Sequence, residues 1–242
     1  MTATPAAAAK RGGPGAIAQL KERLKAFAHG VLSPVVGGLA SLGLKADHVT
    51  WLGMLLGVAA GVAFFFGRSR TAAVLLALGG VCDILDGELA RRSGVTSRFG
   101  AFLDSTLDRF SEAAALIGIA GFGARNLLAL AVDPELAAQQ IAIGLYPIAW
   151  EAFVLFALLA LVGSFMVSYT RARAEGLGLE CRVGWFERPE RLVLLIAAGA
   201  LHEFRAMAVA LLLLAVLSTV TAAQRVVHVW KHTRGAGRDG AA

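Results

Sequence analysis

Three stretches of nineteen residues without a charged side chain constrain this sequence more than any other feature. They cover residues 49–67, 152–170 and 206–224. Uncharged runs of about 18 or more residues are typical of helices that cross a membrane. Hydrophobic residues make up 57% of the 242 residues and charged residues only 17%. The chain is therefore predicted to be an all-α, polytopic membrane protein rather than a soluble domain.

The apolar segments predict six transmembrane helices in a domain over residues 45–230. The segments cover about 49–67, 71–91, 98–122, 148–172, 189–201 and 206–228. An interfacial amphipathic helix is predicted before them over residues 16–44, because five apolar residues share one helical face. These residues are Ile17, Leu20, Leu24, Phe27 and Val31. Residues 1–15 are expected to form a disordered tail, residues 231–242 a flexible tail, and residues 123–147 the longest loop, with a surface helix.

The basic residues are distributed unevenly between the two predicted sides of the membrane. All but four of the 23 Lys and Arg residues fall on the side that holds both termini. Because cytoplasmic loops carry an excess of Lys and Arg, this side is predicted to be the cytoplasmic face of the cell (inner) membrane. The net charge of +6 then indicates orientation and anionic lipid rather than nucleic acid. The four exceptions are Arg68, Arg70, Arg125 and Arg205.

A stripe of glycines runs along the first predicted membrane helix. Gly53, Gly57 and Gly61 are four residues apart and therefore share one face. Small residues at this spacing let two helices approach closely. The stripe predicts close packing inside the bundle, with a contact in a dimer as the alternative.

Four aspartates end the second predicted membrane helix and begin the third. Asp83 and Asp86 are three residues apart, and Asp104 and Asp108 are four apart. On helices, both spacings place the two members of a pair on one face. The short connection makes the helices antiparallel neighbours, so the two pairs are predicted to converge at the cytoplasmic end of the bundle.

Converging carboxylates repel one another unless a cation lies between them. Mg²⁺ and Mn²⁺ prefer oxygen ligands, and two ions bridged by carboxylates form a centre for displacement at phosphorus. The pattern therefore favours a site for two Mg²⁺ or Mn²⁺ ions. The alternative is that the aspartates are helix-end carboxylates that pair with arginines. The arginines are Arg91, Arg92, Arg98 and Arg109.

The aspartates are part of a longer pattern with fixed spacing. The pattern is Asp83-x2-Asp86-Gly87-x2-Ala90-Arg91-x8-Gly100-x3-Asp104-x3-Asp108. It resembles the signature of the CDP-alcohol phosphotransferase family. The resemblance implies six transmembrane helices, a homodimer and a reaction in which an alcohol displaces CMP from a CDP-linked lipid with the help of divalent metal.

The resemblance also assigns roles to residues by position. It implies that the four aspartates bind metal and that Asp108 is the general base for the attacking hydroxyl. Asp47 and Thr50 lie in "LKADHVT", which resembles the family's Leu-Thr-Pro-Asn/Asp-x-x-Thr, although Lys45 and Ala46 depart from it. The implied contacts to the CDP moiety are Asp47, Thr50, Gly87, Ala90, Arg91, Ser97 and Gly100.

A basic segment indicates the acceptor alcohol. Residues 168–195, "SYTRARAEGLGLECRVGWFERPERLVLL", suit a phosphorylated acceptor or, alternatively, anionic headgroups. The pieces "SYTRARAE" and "ERPERL" resemble the phosphatidylinositol phosphate synthases of bacteria, a branch of the family that joins CDP-diacylglycerol to inositol 1-phosphate. This resemblance implies that Arg171, Arg173 and Arg191 bind the acceptor phosphate.

Two other functions are consistent with parts of the pattern. Glycerol 3-phosphate is also a phosphorylated acceptor, so the arginines alone do not exclude phosphatidylglycerophosphate synthesis. A divalent-metal transporter would distribute acidic residues through the depth of the membrane, often on broken helices. Here the aspartates lie at one end beside arginines, which disfavours transport.

Overall fold

The computed structural model of the chain describes residues 34–94 and 97–236, and within these ranges every regular element is an α-helix. The first helix, α1, covers residues 34–41 in a unit that ends at Lys45. The predicted tail before residue 16, most of the predicted interfacial helix and the last six residues lie outside the described residues.

Seven helices form the second unit, which begins at Ala46. They are α2 (Ala46–Phe65), α3 (Ser69–Ser93), α4 (Arg98–Val132), α5 (Pro134–Ala142), α6 (Pro147–Glu175), α7 (Arg188–Leu201) and α8 (Phe204–Ala236). All six predicted membrane segments are helical. Among the described helices, α2, α4, α6 and α8 are long and apolar enough to cross a membrane.

The other two predicted spans, α3 and α7, lack an uninterrupted apolar length. α3 has 25 residues, but its second half carries the first aspartate pair, Glu88, Arg91 and Arg92. α7 has 14 residues, which gives a length of about 21 Å at 1.5 Å per residue. This is shorter than the hydrocarbon core of a bilayer, about 30 Å.

The prediction of a loop over residues 123–147 is wrong for residues 123–132. α4 continues through residues 123–132, because this stretch is rich in Ala and Leu and contains no proline. The helix ends at Asp133, whose side chain accepts hydrogen bonds from the backbone N–H groups of Glu135 and Leu136, at 3.1 and 3.0 Å. Asp133 thus caps α5, the predicted surface helix, which has no buried residue. At the other end of the chain, α8 passes the predicted boundary at residue 230 and reaches Ala236.

The helices of the second unit pack around one apolar core. α2 packs against α3 and α4, α6 packs against α4 and α8, and α7 packs against α3 and α8. Six helices supply fully buried side chains, among them Phe64, Leu76, Leu116, Phe153, Leu195 and Leu211. This arrangement brings the end of α3 and the starts of α2, α4 and α7 together, and these four ends carry the polar residues of the site.

The glycine stripe of α2 faces α4 and α3 inside the bundle. A Cβ atom at Gly57 would overlap the side chain of Ser111, and one at Gly61 would overlap the backbone at Ala114. A Cβ atom at Gly53 would lie 3.2 Å from that of Cys82. The prediction of close packing within the bundle is therefore confirmed.

We expect Gly61→Val to destabilise the bundle strongly. The added side chain meets α4 backbone, which cannot turn away as a flexible side chain can, so the helices must separate. Overpacking of this kind costs on the order of 3 kcal/mol. The measurement is the apparent melting temperature of the purified protein in detergent. Ala59→Val, at an exposed position of the same helix, is the control, and equal melting temperatures for both variants would contradict the packing.

Candidate active site

The two aspartate pairs face each other across α3 and α4. Asp86 is buried, with 5% of its surface exposed. The charge of Asp83 acts on Asp86, Asp104 and Asp108, and the charge of Asp104 acts on Asp86 and Asp108. The four carboxylates, from the end of one helix and the start of the next, are therefore close enough to interact electrostatically, as their spacing in the sequence predicts.

Arg188, the first residue of α7, lies between the two pairs. Its Nη1 donates to Asp83 Oδ2, and its Nη2 lies 2.8 Å from Asp108 Oδ1. The guanidinium thus compensates one carboxylate from each pair. Arg188 belongs to the basic segment, but the sequence did not single it out. The available signal was its place three residues before Arg191 on the same helical face.

Arginines explain part of the aspartate cluster but not all of it. Arg91 and Arg92 pair with Glu88 at 2.9 and 3.4 Å. Arg109 lies 3.7 Å from Asp108 Oδ2 and donates to Ser168 Oγ and to a backbone carbonyl. Of the arginines named in that alternative, Arg109 is therefore the one with an ion pair to an aspartate of the cluster within the described residues, and that aspartate is Asp108.

The donor set suits a hard divalent cation. Among the described residues, no group of three or more His, Cys, Asp or Glu side chains is already arranged around a metal position. The cluster is nevertheless made only of carboxylate oxygens, the ligands that Mg²⁺ and Mn²⁺ prefer. The guanidinium of Arg188 already places a positive charge between Asp83 and Asp108. The residues present therefore fit a divalent cation that takes over this compensation.

Thr50 connects α2 to the cluster. Its hydroxyl donates to Asp86 Oδ2 at 2.7 Å and lies 3.1 Å from the carbonyl oxygen of Ala46. Thr50 is itself buried, so the hydrogen bond fixes one oxygen of Asp86. α2 begins at Ala46 without the proline of the family motif, and the start of the helix is formed all the same.

A cleft opens beside the aspartates, between the start of α2, the end of α3 and the start of α4. Its volume is about 230 Å³. The seven residues that the resemblance assigned to the CDP moiety all line it, together with Asp86 and Asp104. They are Asp47, Thr50, Gly87, Ala90, Arg91, Ser97 and Gly100. The structure thus brings together the seven positions and one member of each aspartate pair.

Small residues and a helix cap shape this cleft. Ser97 caps α4 by accepting a hydrogen bond from the backbone N–H of Gly100 at 2.8 Å. A Cβ atom at Gly100 would lie 3.0 Å from Ser97 Oγ, and one at Gly87 would lie 3.5 Å from the Arg91 guanidinium. Side chains at these glycines would fill the cleft. Arg91 is exposed at its rim, where a guanidinium can bind phosphate.

The three arginines assigned to the acceptor are not gathered in one open pocket. Arg191 is fully buried and makes a two-pronged ion pair with Glu112, at 2.6 and 2.9 Å. Its third nitrogen, Nη1, has no hydrogen-bond partner among the described residues. Arg171 pairs with Glu175 at 2.9 Å and lies 3.7 Å from Glu187. Arg173 is exposed on the last turn of α6.

A fourth arginine, Arg225 of α8, stabilises this region by hydrogen bonds. It was not among the residues predicted from the sequence. It is buried and donates to the backbone carbonyls of Val183 and Val167 and, at 3.0 Å, to Glu187 Oε1. Glu187 also caps α7. Arg225 therefore holds the connection between α6 and α7 and, through it, the start of the helix that carries Arg188. The signal in the sequence was a single charge directly after a nineteen-residue uncharged run.

We expect Arg225→Met to destabilise the protein by about 3 kcal/mol, because it leaves two buried carbonyl groups and Glu187 without their donor. The Michaelis constant for the acceptor should rise as well, since the start of α7 loses its support. Melting temperature and steady-state kinetics in detergent measure the two effects. Arg225→Lys, which keeps the charge with fewer donors, should lie between wild type and Arg225→Met. A wild-type melting temperature for Arg225→Met would contradict the bracing role.

The fold and the site define a class of protein. The model of the CDP-alcohol phosphatidyltransferase family matches residues 44–222, which includes the cleft and all four aspartates. The chain belongs to the CDP-alcohol phosphatidyltransferase family and is a transferase of phospholipid synthesis. This family uses a CDP-alcohol, an alcohol acceptor and divalent metal, and membership removes the metal-transport alternative.

Individual relatives narrow the comparison. The chain is 39% identical to the archaetidylinositol phosphate synthase of Methanothermobacter thermautotrophicus over 84% of its own length and 90% of the relative's. It is 35% identical to the phosphatidylinositol phosphate synthase of Mycobacterium marinum, over 85% and 81%. The Mycobacterium tuberculosis phosphatidylinositol phosphate synthase with bound CDP-DAG has a similar structure. Its TM-score is 0.67 at 34% identity, covering 83% of this chain and 94% of that one. A second structure of that enzyme contains manganese and citrate.

Proposed function

We propose that the protein transfers the phosphatidyl group of CDP-diacylglycerol to inositol 1-phosphate, with release of CMP. The observation that carries this proposal is the cleft beside the aspartates, because its walls contain all seven residues expected at the CDP moiety. Two kinds of relative, one archaeal and one bacterial, are named as synthases of archaetidylinositol phosphate and of phosphatidylinositol phosphate.

In the proposed reaction, the cytidine diphosphate lies in the cleft with Arg91 near its phosphates. Asp108 accepts the proton of an inositol hydroxyl, whose oxygen attacks the β-phosphorus. The bond from that phosphorus to the bridging oxygen breaks, and CMP leaves with the bond electrons. Arg188 holds Asp108 in place and compensates its charge before the proton arrives.

The four aspartates would hold two Mg²⁺ or Mn²⁺ ions. Bound metal would neutralise the diphosphate and stabilise the charge that develops on the leaving group. Thr50 supports this role of Asp86, because its hydroxyl fixes one carboxylate oxygen. The manganese in the structure of the mycobacterial relative is consistent with the proposal.

Arg171, Arg173 and Arg191 form the proposed site for the acceptor phosphate. The unpaired Nη1 of Arg191 supports this assignment, because a buried donor without a partner favours an anionic ligand. Arg173 is exposed and can turn toward a ligand. Glycerol 3-phosphate would satisfy the same donors, so it is the alternative acceptor.

A second lipid is a candidate for the donor. Archaetidyl groups carry ether-linked chains, and an archaeal relative named for this group is 39% identical to the chain. The proposed contacts of the cleft are to the CDP moiety and not to the lipid chains, so CDP-archaeol is the alternative donor. The aspartates and the arginines would act in the same way on either lipid.

The proposed enzyme is a homodimer with six membrane-crossing helices, α3 and α7 included, and an N-terminal interfacial helix. It lies in the cell (inner) membrane with both termini and the active site on the cytoplasmic side. The excess of Lys and Arg on the side of the aspartates supports this orientation.

Mass spectrometry of the lipid product tests the proposal. The purified protein is supplied with Mg²⁺, with CDP-diacylglycerol or CDP-archaeol, and with inositol 1-phosphate, glycerol 3-phosphate or serine. Phosphatidylinositol phosphate as the main product supports the assignment. Phosphatidylglycerophosphate would keep the reaction and overturn the acceptor, and product from CDP-archaeol alone would overturn the donor.

A further inference from the structure

A second cavity lies at the opposite end of the bundle from the aspartates. Its volume is about 240 Å³, and residues of α2, α3, α4, α6, α7 and α8 line it. Ile119 on its wall follows Asp104 on the same helix by fifteen residues, which is about 22 Å along the axis. This distance is most of the thickness of a hydrocarbon core, about 30 Å. The cavity is therefore separate from the catalytic cleft.

Five of the twelve residues that line the cavity are Phe or Trp. The indole of Trp150 contacts the rings of Phe122, Phe153 and Phe204 at centroid distances of 5.7, 6.0 and 4.7 Å. Phe153 and Phe204 stack at 5.1 Å. Such a wall favours hydrocarbon.

One hydrogen-bond donor in this wall lacks a partner. Trp150 is 4% exposed, and its indole N–H has no acceptor among the described residues. Ser69 and His202 also line the cavity, and they hydrogen-bond to each other at 2.5 Å. An unpaired buried donor costs about 1–3 kcal/mol. The cavity therefore favours an occupant that is mostly hydrocarbon but carries an acceptor oxygen.

Three arginines are neighbours in the chain of residues that line the cavity. Arg68 and Arg70 lie on either side of Ser69, and Arg205 follows Phe204. All three are exposed and make no ion pair within the described part of the chain. On the acidic side, Glu203 lines the cavity and Glu151 follows Trp150, so the three basic charges outnumber the two acidic ones. This surface suits a phosphate group.

We propose that the cavity binds one chain of a glycerophospholipid from the membrane leaflet opposite the active site. The chain fills the aromatic wall, its ester carbonyl accepts the hydrogen bond from Trp150, and its phosphate lies near the three arginines. The aromatic wall, the indole N–H and the arginines thus follow one another in the same order as the acyl chain, the ester carbonyl and the phosphate of a phospholipid. Trp150 lies in the first turn of α6, the level at which tryptophan meets lipid ester groups. The cavity is too small for a whole lipid and fits a chain segment.

Fluorescence quenching by brominated lipid tests this site. A variant that keeps only Trp150 (Trp51, Trp185 and Trp230→Phe) is placed in vesicles of phosphatidylglycerol with or without bromine on the upper acyl chain. We expect quenching as strong as that of a matched variant that keeps only Trp51, which is 46% exposed. Adding Ala198→Phe, which fills the cavity, should abolish the quenching of Trp150. Quenching by acrylamide but not by brominated lipid would show that water fills the cavity and would overturn the proposal.

Native mass spectrometry of the otherwise unchanged protein provides a second test. Trp150→Phe keeps an aromatic ring but removes the N–H, so the dissociation constant of the retained phospholipid should rise about three- to tenfold. CMP release at the other end of the bundle should stay unchanged and shows that the variant is folded. Equal lipid retention by wild type and Trp150→Phe would overturn the role of the indole.

Discussion

Asp108→Asn is expected to lower the turnover number for CMP release about a thousandfold. A positioned general base contributes about 10²- to 10⁴-fold to a rate, and the amide cannot accept the proton of the attacking hydroxyl. The change preserves the size of the side chain, and its carbonyl oxygen can still accept from Arg188. We therefore expect the melting temperature and the binding of CDP-diacylglycerol to remain close to those of wild type.

A matched control separates this effect from a general loss of charge. Asp133→Asn makes the same change in the residue that caps α5, outside the cleft. It should cost about 1 kcal/mol of stability at most and leave the turnover number unchanged. Turnover by Asp108→Asn at more than a tenth of the wild-type rate would contradict the assignment of Asp108 as the base.

Arg188→Gln is expected to make the protein bind Mg²⁺ or Mn²⁺ more tightly while it becomes less stable in chelator. The guanidinium pairs with Asp83 and Asp108, so a cation at the cluster must displace it from at least one carboxylate. Without Arg188, the metal meets no internal competitor, and the carboxylates repel one another until it binds. A tenfold fall in the metal dissociation constant corresponds to about 1.4 kcal/mol.

Calorimetric titration of metal into the purified variant measures this effect without reference to turnover. Melting temperatures in chelator and in Mg²⁺ give the change in stability. Arg182→Gln is the control, because Arg182 lies in the same connection but is exposed, and among the described residues its ion pair is with Glu180, at 2.6 Å. Unchanged or weaker metal binding by Arg188→Gln would contradict a position of the guanidinium within the metal site.

The sequence predicted the features that depend on local spacing. Separations of three and four residues set the faces of Asp83, Asp86, Asp104 and Asp108, and the short connection between α3 and α4 brings those faces together. The glycine stripe likewise predicted a close helix contact, which the structure has at Gly57 and Gly61. These features follow from helix geometry alone, because 3.6 residues per turn determine which side chains share a face.

The partners of the arginines could not be predicted in the same way. Arg188 contacts Asp83 across 105 positions, and Arg191 contacts Glu112 across 79. Which carboxylate each arginine meets depends on how α7 lies against α3 and α4, and no local pattern fixes that. For this reason the sequence does not indicate that Arg191, which is assigned to the acceptor phosphate, also pairs with Glu112. The prediction also ended α4 near residue 122, ten residues before its end at Val132, although no proline precedes Pro134 in this stretch.

The proposed function depends on one claim: that this site transfers a phosphatidyl group to a phosphorylated inositol. The most direct test is CMP release by the purified protein with CDP-diacylglycerol and Mg²⁺, with inositol 1-phosphate compared with free inositol. We predict rapid release with inositol 1-phosphate and only background release with free inositol, because the arginines of α6 and α7 require the acceptor phosphate. Equal release with both acceptors, or release with neither, would contradict the assignment.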